Sequence, residues 1–363
     1  MLRVKLIVNL KLQPTPEQAK ALHQTLELAN KACNAISEHA WESKTFKQYN
    51  LHRLVYHSIR DTFDLSAQIV VRLIAKVADA YKFDTDTRRF FRKHGSIAYD
   101  ERILSFKKGD GVSIWTIEGR QTILFVCGDH QRKLLPFRKG ETDLIYRSDN
   151  FYLNVVCDVD EPPPDDAQDV LGIDVGIVNL ATDSDGEVFM GAQVDQTRRR
   201  YAHRRRNLQR KGTRSAKRKL KQLSGKQARF QRDTNHVISK HLALKAKDTT
   251  RAIAIEDLRG IRQRVTVRKN QRARHHNWAF AQLRNFLEYK ARLNGVRVVA
   301  VGPHNTSREC HQCHYTDKKN RQSRDKFSCQ SCGLTMNADY NAARNIRARA
   351  LSTSQTSLAL KVA

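Results

Sequence analysis

Cys310-His311-Gln312-Cys313, then 15 residues (314–328), then Cys329-Gln330-Ser331-Cys332, then, five positions after the last cysteine, Asn337-Ala338-Asp339-Tyr340-Asn341-Ala342-Ala343-Arg344-Asn345-Ile346: this stretch decides the fold. Two Cys-x-x-Cys pairs at this spacing supply the four soft ligands of a tetrahedral structural zinc site. The segment after them starts with a carboxylate and continues in good helix formers. The sequence therefore sets a zinc ribbon directly before a helix that carries an acid in its first turn. Two disulfides are the bland alternative. They need an oxidising compartment, and Met1-Leu2-Arg3-Val4-Lys5 leads into an alternating stretch rather than an apolar signal-peptide core. His311 or His314 could substitute as a ligand; His314 stands where ribbons often carry glycine, a place that Gly333 fills in the second knuckle. The remaining cysteines, Cys33, Cys127 and Cys157, sit in apolar contexts and read as reduced core residues.

Working outward, two more acids occupy costly positions. Asp174 interrupts the apolar strand Val170-Leu171-Gly172-Ile173-Asp174-Val175-Gly176, and Glu256 closes the apolar run Arg251-Ala252-Ile253-Ala254-Ile255-Glu256. An ionised carboxylate in such surroundings must be paired or bound to a metal. A salt bridge to one of the many arginines is the alternative for either acid alone. The order of elements favours the metal. A strand with Asp174, a hairpin across Ser184-Asp185-Gly186, a strand ending in Glu256 and a late helix opening with Asp339 describe an RNase H-like core. In such a core the three acids converge and could hold two Mg²⁺ or Mn²⁺ ions.

The 363-residue chain has 66 Lys+Arg against 37 Asp+Glu, a formal net charge of +29. That excess calls for a polyanionic partner, and nucleic acid fits best. An anionic membrane surface fits poorly, because the basic stretches lack an apolar face, and no apolar run reaches the roughly 18 residues that span a bilayer. Residues 197–232 hold 16 Lys or Arg and no acid. Their candidate phosphate contacts are Arg198, Arg199, Arg200, Arg204, Arg205, Arg206, Arg210, Lys211, Arg214, Lys217 and Arg218. Only Tyr201 and Phe230 interleave them, so tracking of a backbone is expected rather than base stacking. A merely solvated helix face is the alternative. His276–Phe280 reads as core plus surface histidines.

Residues 3–12 alternate as a strand. Thr15-Pro16-Glu17-Gln18 is a capping box with proline at the first helical position, followed by an apolar stripe of Leu22, Leu26, Ala29, Cys33 and Ile36. A second helix over about 66–83 turns Val70, Leu73, Val77 and Tyr81 inward. Strands are expected at 97–106, 112–117, 122–127 and 151–159, and with the first strand they suggest an antiparallel barrel into which helices are inserted. Glu161-Pro162-Pro163-Pro164-Asp165-Asp166 reads as an exposed linker. A helix marked by Trp278, Leu283, Phe286, Leu287 and Leu293 precedes a strand at 296–301.

The set GIDVGIVNLAT (172–182), AIEDLRGIR (254–262) and TSRECHQC…FSCQSCGLTMNADYNAARNI (306–346) resembles the TnpB (OrfB) family of transposon-encoded proteins, relatives of type V CRISPR effectors. The likeness extends to VNLKLQPTPEQAKALHQTLELANKACN (8–34). The resemblance implies a multidomain α+β protein: a wedge-like β-barrel (1–13 and 95–160), an inserted helical recognition lobe (14–94) and a linker (161–168). A RuvC nuclease domain (169–304 and 337–350), an inserted zinc-bearing target-nucleic-acid-binding module (305–336) and a flexible tail (351–363) complete it. By matched position, Asp174, Glu256 and Asp339 would be the RuvC triad and Cys310, Cys313, Cys329 and Cys332 the zinc ligands. The implied activity is RNA-guided cleavage of double-stranded DNA beside a short flanking motif in a prokaryotic cytosol, nucleoid-associated, with one protein chain per guide RNA. A guided but inactive repressor, and an unguided resolvase or transposase, are the competing readings. Intact acids count against the first, and the barrel and helical insertion against the second. Many relatives read Asp-Arg-Asp where this chain has Asn337-Ala338-Asp339, so the catalytic acid is expected to be the second of the two, Asp339.

Overall fold

The computed structural model describes residues 3–258 and 280–362, without the side chains of 280 and 353–362. Trp278 and the stretch 276–279 lie outside them. The chain divides between Val159 and Asp160 into two compact units, just before the proline run.

The first unit holds β1 (Arg3–Gln13), helices α1 (Pro16–Glu42), α2 (Gln48–Phe63) and α3 (Ala67–Tyr81), and strands β2 (Ile97–Tyr99), β3 (Leu104–Phe106), β4 (Gly111–Thr116), β5 (Gly119–Val126), β6 (Arg138–Arg147) and β7 (Asn150–Asp160), with a short α4 (Asp129–Leu134). Its sheet runs β2-β6-β7-β1-β5-β4-β3. The edge strands β2 and β3 are consecutive in sequence, joined only by residues 100–103. Five residue steps reach at most about 18 Å. A flat seven-stranded sheet would hold its edges about 29 Å apart, at about 4.8 Å per strand. The sheet therefore curls into a nearly closed barrel, and the Tyr99 hydroxyl donates to the Trp115 carbonyl at 3.1 Å, tying β2 to β4. The α1 capping box forms: Thr15 Oγ1 accepts from the Gln18 amide at 3.3 Å, and the Gln18 side chain accepts from the Thr15 amide at 3.1 Å. Leu22, Leu26, Ala29, Cys33 and Ile36 are all fully buried, as are Val70, Leu73, Val77 and Tyr81 to within 1 %. The expected strand 97–106 is broken by a turn at 100–103, where Asp100 accepts from the Ile103 and Leu104 amides.

The second unit is a five-stranded sheet in the order β10-β9-β8-β11-β12. Its strands are β8 (Asp169–Asp174), β9 (Asn179–Asp183), β10 (Val188–Met190), β11 (Arg251–Glu256) and β12 (Val298–Val301). The first three run antiparallel, whereas β11 lies parallel to both β8 and β12. Among the described residues it is joined by helices α5 (Ala192–Lys211), α6 (Arg214–Leu223), α7 (Lys226–Asp248), α8 (Phe280–Leu293) and α9 (Ala338–Val362) and by the hairpin β13 (Lys326–Ser328) and β14 (Thr335–Asn337). The period of two in each strand divides the sheet into faces. Leu171, Ile173, Ile253 and Ile255 pack with Ile238 and Leu242 of α7 and Leu283 and Leu287 of α8. Val170, Ala252 and Ala254 pack on the other face with Ile346 and Ala350 of α9. By the same alternation Asp174 and Glu256 belong to the α9 side. The α9 helix runs on through Val362, past the tail boundary expected at 350, because residues 351–362 contain neither glycine nor proline to stop it.

Gly172 makes this layering possible. A Cβ there would stand 2.2 Å from the Ala343 carbonyl oxygen and 2.6 Å from the Arg347 amide, so α9 rests directly on the β8 backbone. Gly172→Ala is expected to push α9 off the sheet. Chemical denaturation should show a loss of about 3 kcal/mol, in the range of core overpacking, and any activity that needs Asp339 beside Asp174 should fall with it. An unchanged unfolding midpoint would contradict the close approach.

Residues 162–166 of the expected linker are exposed, and the segment is also tied to α8 and the turn after it. The Asp165 amide donates to the Gly295 carbonyl at 2.8 Å, and Glu161 pairs with Arg292.

Candidate functional site

Parallel pairing of β8 with β11 sets Ile173 opposite Ile255, so Asp174 and Glu256 follow at neighbouring strand ends. The first turn of α9 brings Asp339 to the same end. Asp174 feels the other two acids. The Asp174 carboxyl is pushed up to about 8, first by burial, then by the charges of Glu256 and Asp339. Burial also raises Glu256, opposed by a hydrogen bond from Thr306 and the charge of Arg349.

Asp339 is held at both oxygens. Asn179 Nδ2 donates to Oδ2 at 2.9 Å, and the Arg321 guanidinium donates to Oδ1 at 3.2 Å. Asn337 is the cap of α9: its Oδ1 accepts from the Asp339 amide at 3.0 Å and the Tyr340 amide at 3.1 Å. The neutral residue at this place thus serves the helix start and orients the acid that follows.

The ligand atoms of Cys310, Cys313, Cys329 and Cys332 all lie within 4.8 Å of one another. The Cys310 and Cys332 sulfurs are 3.7 Å apart, and those of Cys313 and Cys329 3.5 Å. Four thiols at such spacing suit a soft tetrahedral ion such as zinc. Each knuckle turns through a left-handed residue, Gly333 at φ 73° and His314 at φ 60°. His314 therefore adopts the glycine conformation without being a glycine, and its ring contacts Glu309 at 3.2 Å instead of joining the sulfurs. The His311 ring faces Asn341 Oδ1 at 3.2 Å. The fully buried Asn320 laces the module together: its Nδ2 donates to the carbonyls of Arg308 and Tyr315, and its Oδ1 accepts from the Gln330 amide.

The sequence reading missed a second set. Asn341, Asn345 and Arg349 recur every four residues and form a polar stripe on α9. Asn341 Nδ2 donates to the Glu309 carbonyl at 2.8 Å, and Asn345 Nδ2 to the carbonyls of Thr306 and Glu309 at 2.8 and 2.7 Å. Arg349 donates to the carbonyls of Gly302 and His304 at 2.9 and 2.7 Å. Buried asparagines in an alanine-rich helix were the available signal: both are within 1 % of full burial. Asp183 was another, on β9. It is fully buried and meets Lys245 of α7, which also pairs with Asp185 and Glu187 at 3.2 and 3.1 Å. This network ties the β9–β10 hairpin to α7.

The basic run forms α5, α6 and the start of α7. Gly212, at φ 65°, ends α5, and Thr213 caps α6 by accepting from the Ala216 amide at 3.2 Å. Arg198 and Arg199 both pair with Asp195, at 2.9 and 2.8 Å; Arg198 is half-buried, whereas Arg199 stays exposed. Arg205 reaches Gln227 at 3.0 Å. Arg200, Arg204, Arg206, Arg210, Lys211, Arg214, Lys217 and Arg218 are exposed.

Residues 280–346 match the family described as Cas12f1-like, TNB domain, and residues 154–261 match the OrfB family described as a probable transposase. A TnpB-like protein of Methanocaldococcus jannaschii is 30% identical over 259 residues, 66% of this chain and 90% of that protein. A CRISPR-associated endodeoxyribonuclease Cas12f1 of Sulfoacidibacillus thermotolerans is 32% identical over 219 residues, 55% of this chain. The matched stretch spans only half (50%) of that relative's length. The solved structure of a Cas12f1–sgRNA–target DNA complex covers 92% of this chain and 83% of its own, with a TM-score of 0.60 at 16% identity, a likeness of fold.

Proposed function

Because the chain belongs to the TnpB (OrfB) family, we propose that it is a transposon-encoded, RNA-guided endonuclease that cuts double-stranded DNA beside a short flanking motif. The observation that carries this reading is the convergence of Asp174, Glu256 and Asp339 on one end of a mixed sheet whose strand order suits an RNase H-like RuvC core. The reading assigns 169–304 and 337–350 to the nuclease, 305–336 to the zinc ribbon, the barrel to the wedge and α1–α3 to the recognition lobe.

Three carboxylates are the kind of donor that suits hard divalent cations. Asp174 lies within electrostatic reach of both Glu256 and Asp339, and its ionised form is costly there until positive charge offsets it. Two Mg²⁺ or Mn²⁺ ions held by Asp174, Glu256 and Asp339 would supply a lowered pKa for the attacking water and stabilisation of the leaving 3′ oxygen. The chain's own part is placement. Asp174 and Glu256 stand on neighbouring strands of a packed sheet, and Asn179 and Arg321 fix the two oxygens of Asp339. The four cysteines would hold zinc as a structural ion. All three acids are present, which disfavours an inactive repressor.

The exposed cations of α5 and α6 would track the backbone of guide RNA or of its heteroduplex with the target. Replacing Arg204, Arg205 and Arg206 with Ala is expected to weaken nucleic-acid binding without changing the sequence that is cut. Each lost phosphate contact should flatten the slope of log K against log salt by about 0.7–0.9. An unchanged slope, or a new flanking preference, would count against backbone tracking.

The proposal as a whole is tested by sequencing the RNA that copurifies with the protein, then challenging the complex with a plasmid library carrying randomised flanks beside the matching target. Cutting at one flank class supports it. Absence of a defined RNA points to the unguided resolvase or transposase.

A further inference from the structure

Glu256 receives its hydrogen bond from outside its own strand. The Thr306 hydroxyl donates to Glu256 Oε1. Thr306 is 4 % exposed and lies in the segment leading from β12 into the first cysteine knuckle. Its oxygen is also 3.3 Å from the Pro303 carbonyl. A hydroxyl has one proton to donate, and the closer, ionisable carboxylate is the better acceptor.

The segment is not free to choose this position. From residue 302 to residue 311 it is clamped along the polar stripe of α9. Arg349 holds the carbonyls of Gly302 and His304, Asn345 those of Thr306 and Glu309, and Asn341 the Glu309 carbonyl and the His311 amide. The helix that delivers Asp339 thus also sets the backbone that delivers the Thr306 hydroxyl. Within this one helix, the first turn carries an acid and the following turns fix the partner of another.

We propose that Thr306 is a positioning residue for Glu256: held by the Asn341–Asn345–Arg349 stripe, it fixes which Glu256 oxygen faces the divalent-metal site and which stays bound to protein. The inference rests on the reading of the three acids as metal ligands. Partners of a metal-binding carboxylate typically contribute 10–100-fold in metal affinity when removed. Thr306 touches neither the reacting atoms nor the zinc cluster, so its effect should appear at Glu256 alone.

The test uses the full chain with its copurified RNA and Mn²⁺ as the probe, titrated by electron paramagnetic resonance. Thr306→Val keeps the shape and removes the donor. It is expected to weaken Mn²⁺ binding at least tenfold and to slow single-turnover cleavage at limiting metal, with zinc content, melting temperature and target binding unchanged. Thr306→Ser, which restores the donor, should recover Mn²⁺ affinity to within about twofold. Asn345→Leu, which releases the backbone without touching Glu256, should move in the same direction as Thr306→Val. Wild-type Mn²⁺ affinity in Thr306→Val overturns the proposal, as does a Ser variant as impaired as the Val one, since that would make the side chain a packing residue. A wild-type protein that takes up no Mn²⁺ and cuts nothing would instead overturn the metal reading of the acids on which the proposal rests.

Discussion

Asp174→Asn is expected to abolish cleavage while leaving guide RNA and target DNA bound as in the wild type. The chemistry rests on the carboxylate, whereas affinity rests on base pairing and phosphate contacts spread over the chain. A loss of at least about 10³-fold in the single-turnover rate is expected, with target dissociation constants within about twofold. The same substitution should have an opposite effect on the metal-free protein. Asp174 titrates near 8 when folded, well above the ordinary carboxylate value near 4 that it has when unfolded. Between those values the unfolded chain binds fewer protons than the native one. The stability of the metal-free protein therefore falls as pH rises from about 4 to about 8 and levels off above that. Asn removes the buried charge, so in chelator at pH 8 the variant should melt above the wild type, and at pH 4 the two should converge. Full cleavage by the variant in Mg²⁺ would remove Asp174 from the site. A melting temperature below that of the wild type at pH 8 would mean that its charge is compensated by the protein itself.

Cys310→Ser or Cys332→Ser should strip the zinc and unfold the module between 305 and 336. The module around the hairpin of three-residue strands, β13 with β14, buries little beyond Phe327, Asn320, Cys310 and Cys329. Such a module cannot order itself without its ion, and structural zinc contributes apparent binding energies of about 10 kcal/mol or more. The consequence should reach the acids, because Arg321 and Thr306 hold Asp339 and Glu256 from this part of the chain. Loss of zinc by mass spectrometry, protease cleavage confined to the module and a fall in activity of at least about 100-fold are expected together. Native protein with less than about half an equivalent of zinc would defeat the four-cysteine reading, and full activity in a zinc-free variant would uncouple the module from the acids.

Much of this architecture was legible because the sequence broke its own patterns. Asp174 and Glu256 stand out as charges in apolar strands, and the cysteine spacing is narrow enough to specify a metal. The α1 capping box and its stripe follow from spacing alone. The rest depended on contacts distant in sequence. The α2 helix buries only Leu51, Val55 and Ile59, too thin a stripe to stand out in a charged segment. Strand β6 begins with Arg138-Lys139-Gly140-Glu141, a polar opening that reads as loop until pairing with β7 is known. Thr306, Arg321 and Asn179 carry no local mark, because what they do is set by which carboxylate the fold brings to them. Asn341 and Asn345 did carry one, two amides four residues apart in an alanine-rich helix, but the carbonyls they satisfy lie more than 30 residues upstream. The basic run shows the converse. Its density pointed to phosphate, yet only the structure separates Arg198, half-buried against Asp195, from the exposed cations around it.

The most direct measurement swaps the guide. The purified protein is loaded with one RNA or with a second whose targeting segment is changed, and each complex is given, in Mg²⁺, two plasmids bearing the two matching targets beside the same flank. Double-strand cutting should follow the guide, each complex cutting its own plasmid, and should vanish for both in Asp174→Asn. Cutting of both plasmids by either complex, or cutting that survives the loss of Asp174, would contradict an RNA-guided nuclease built on Asp174, Glu256 and Asp339.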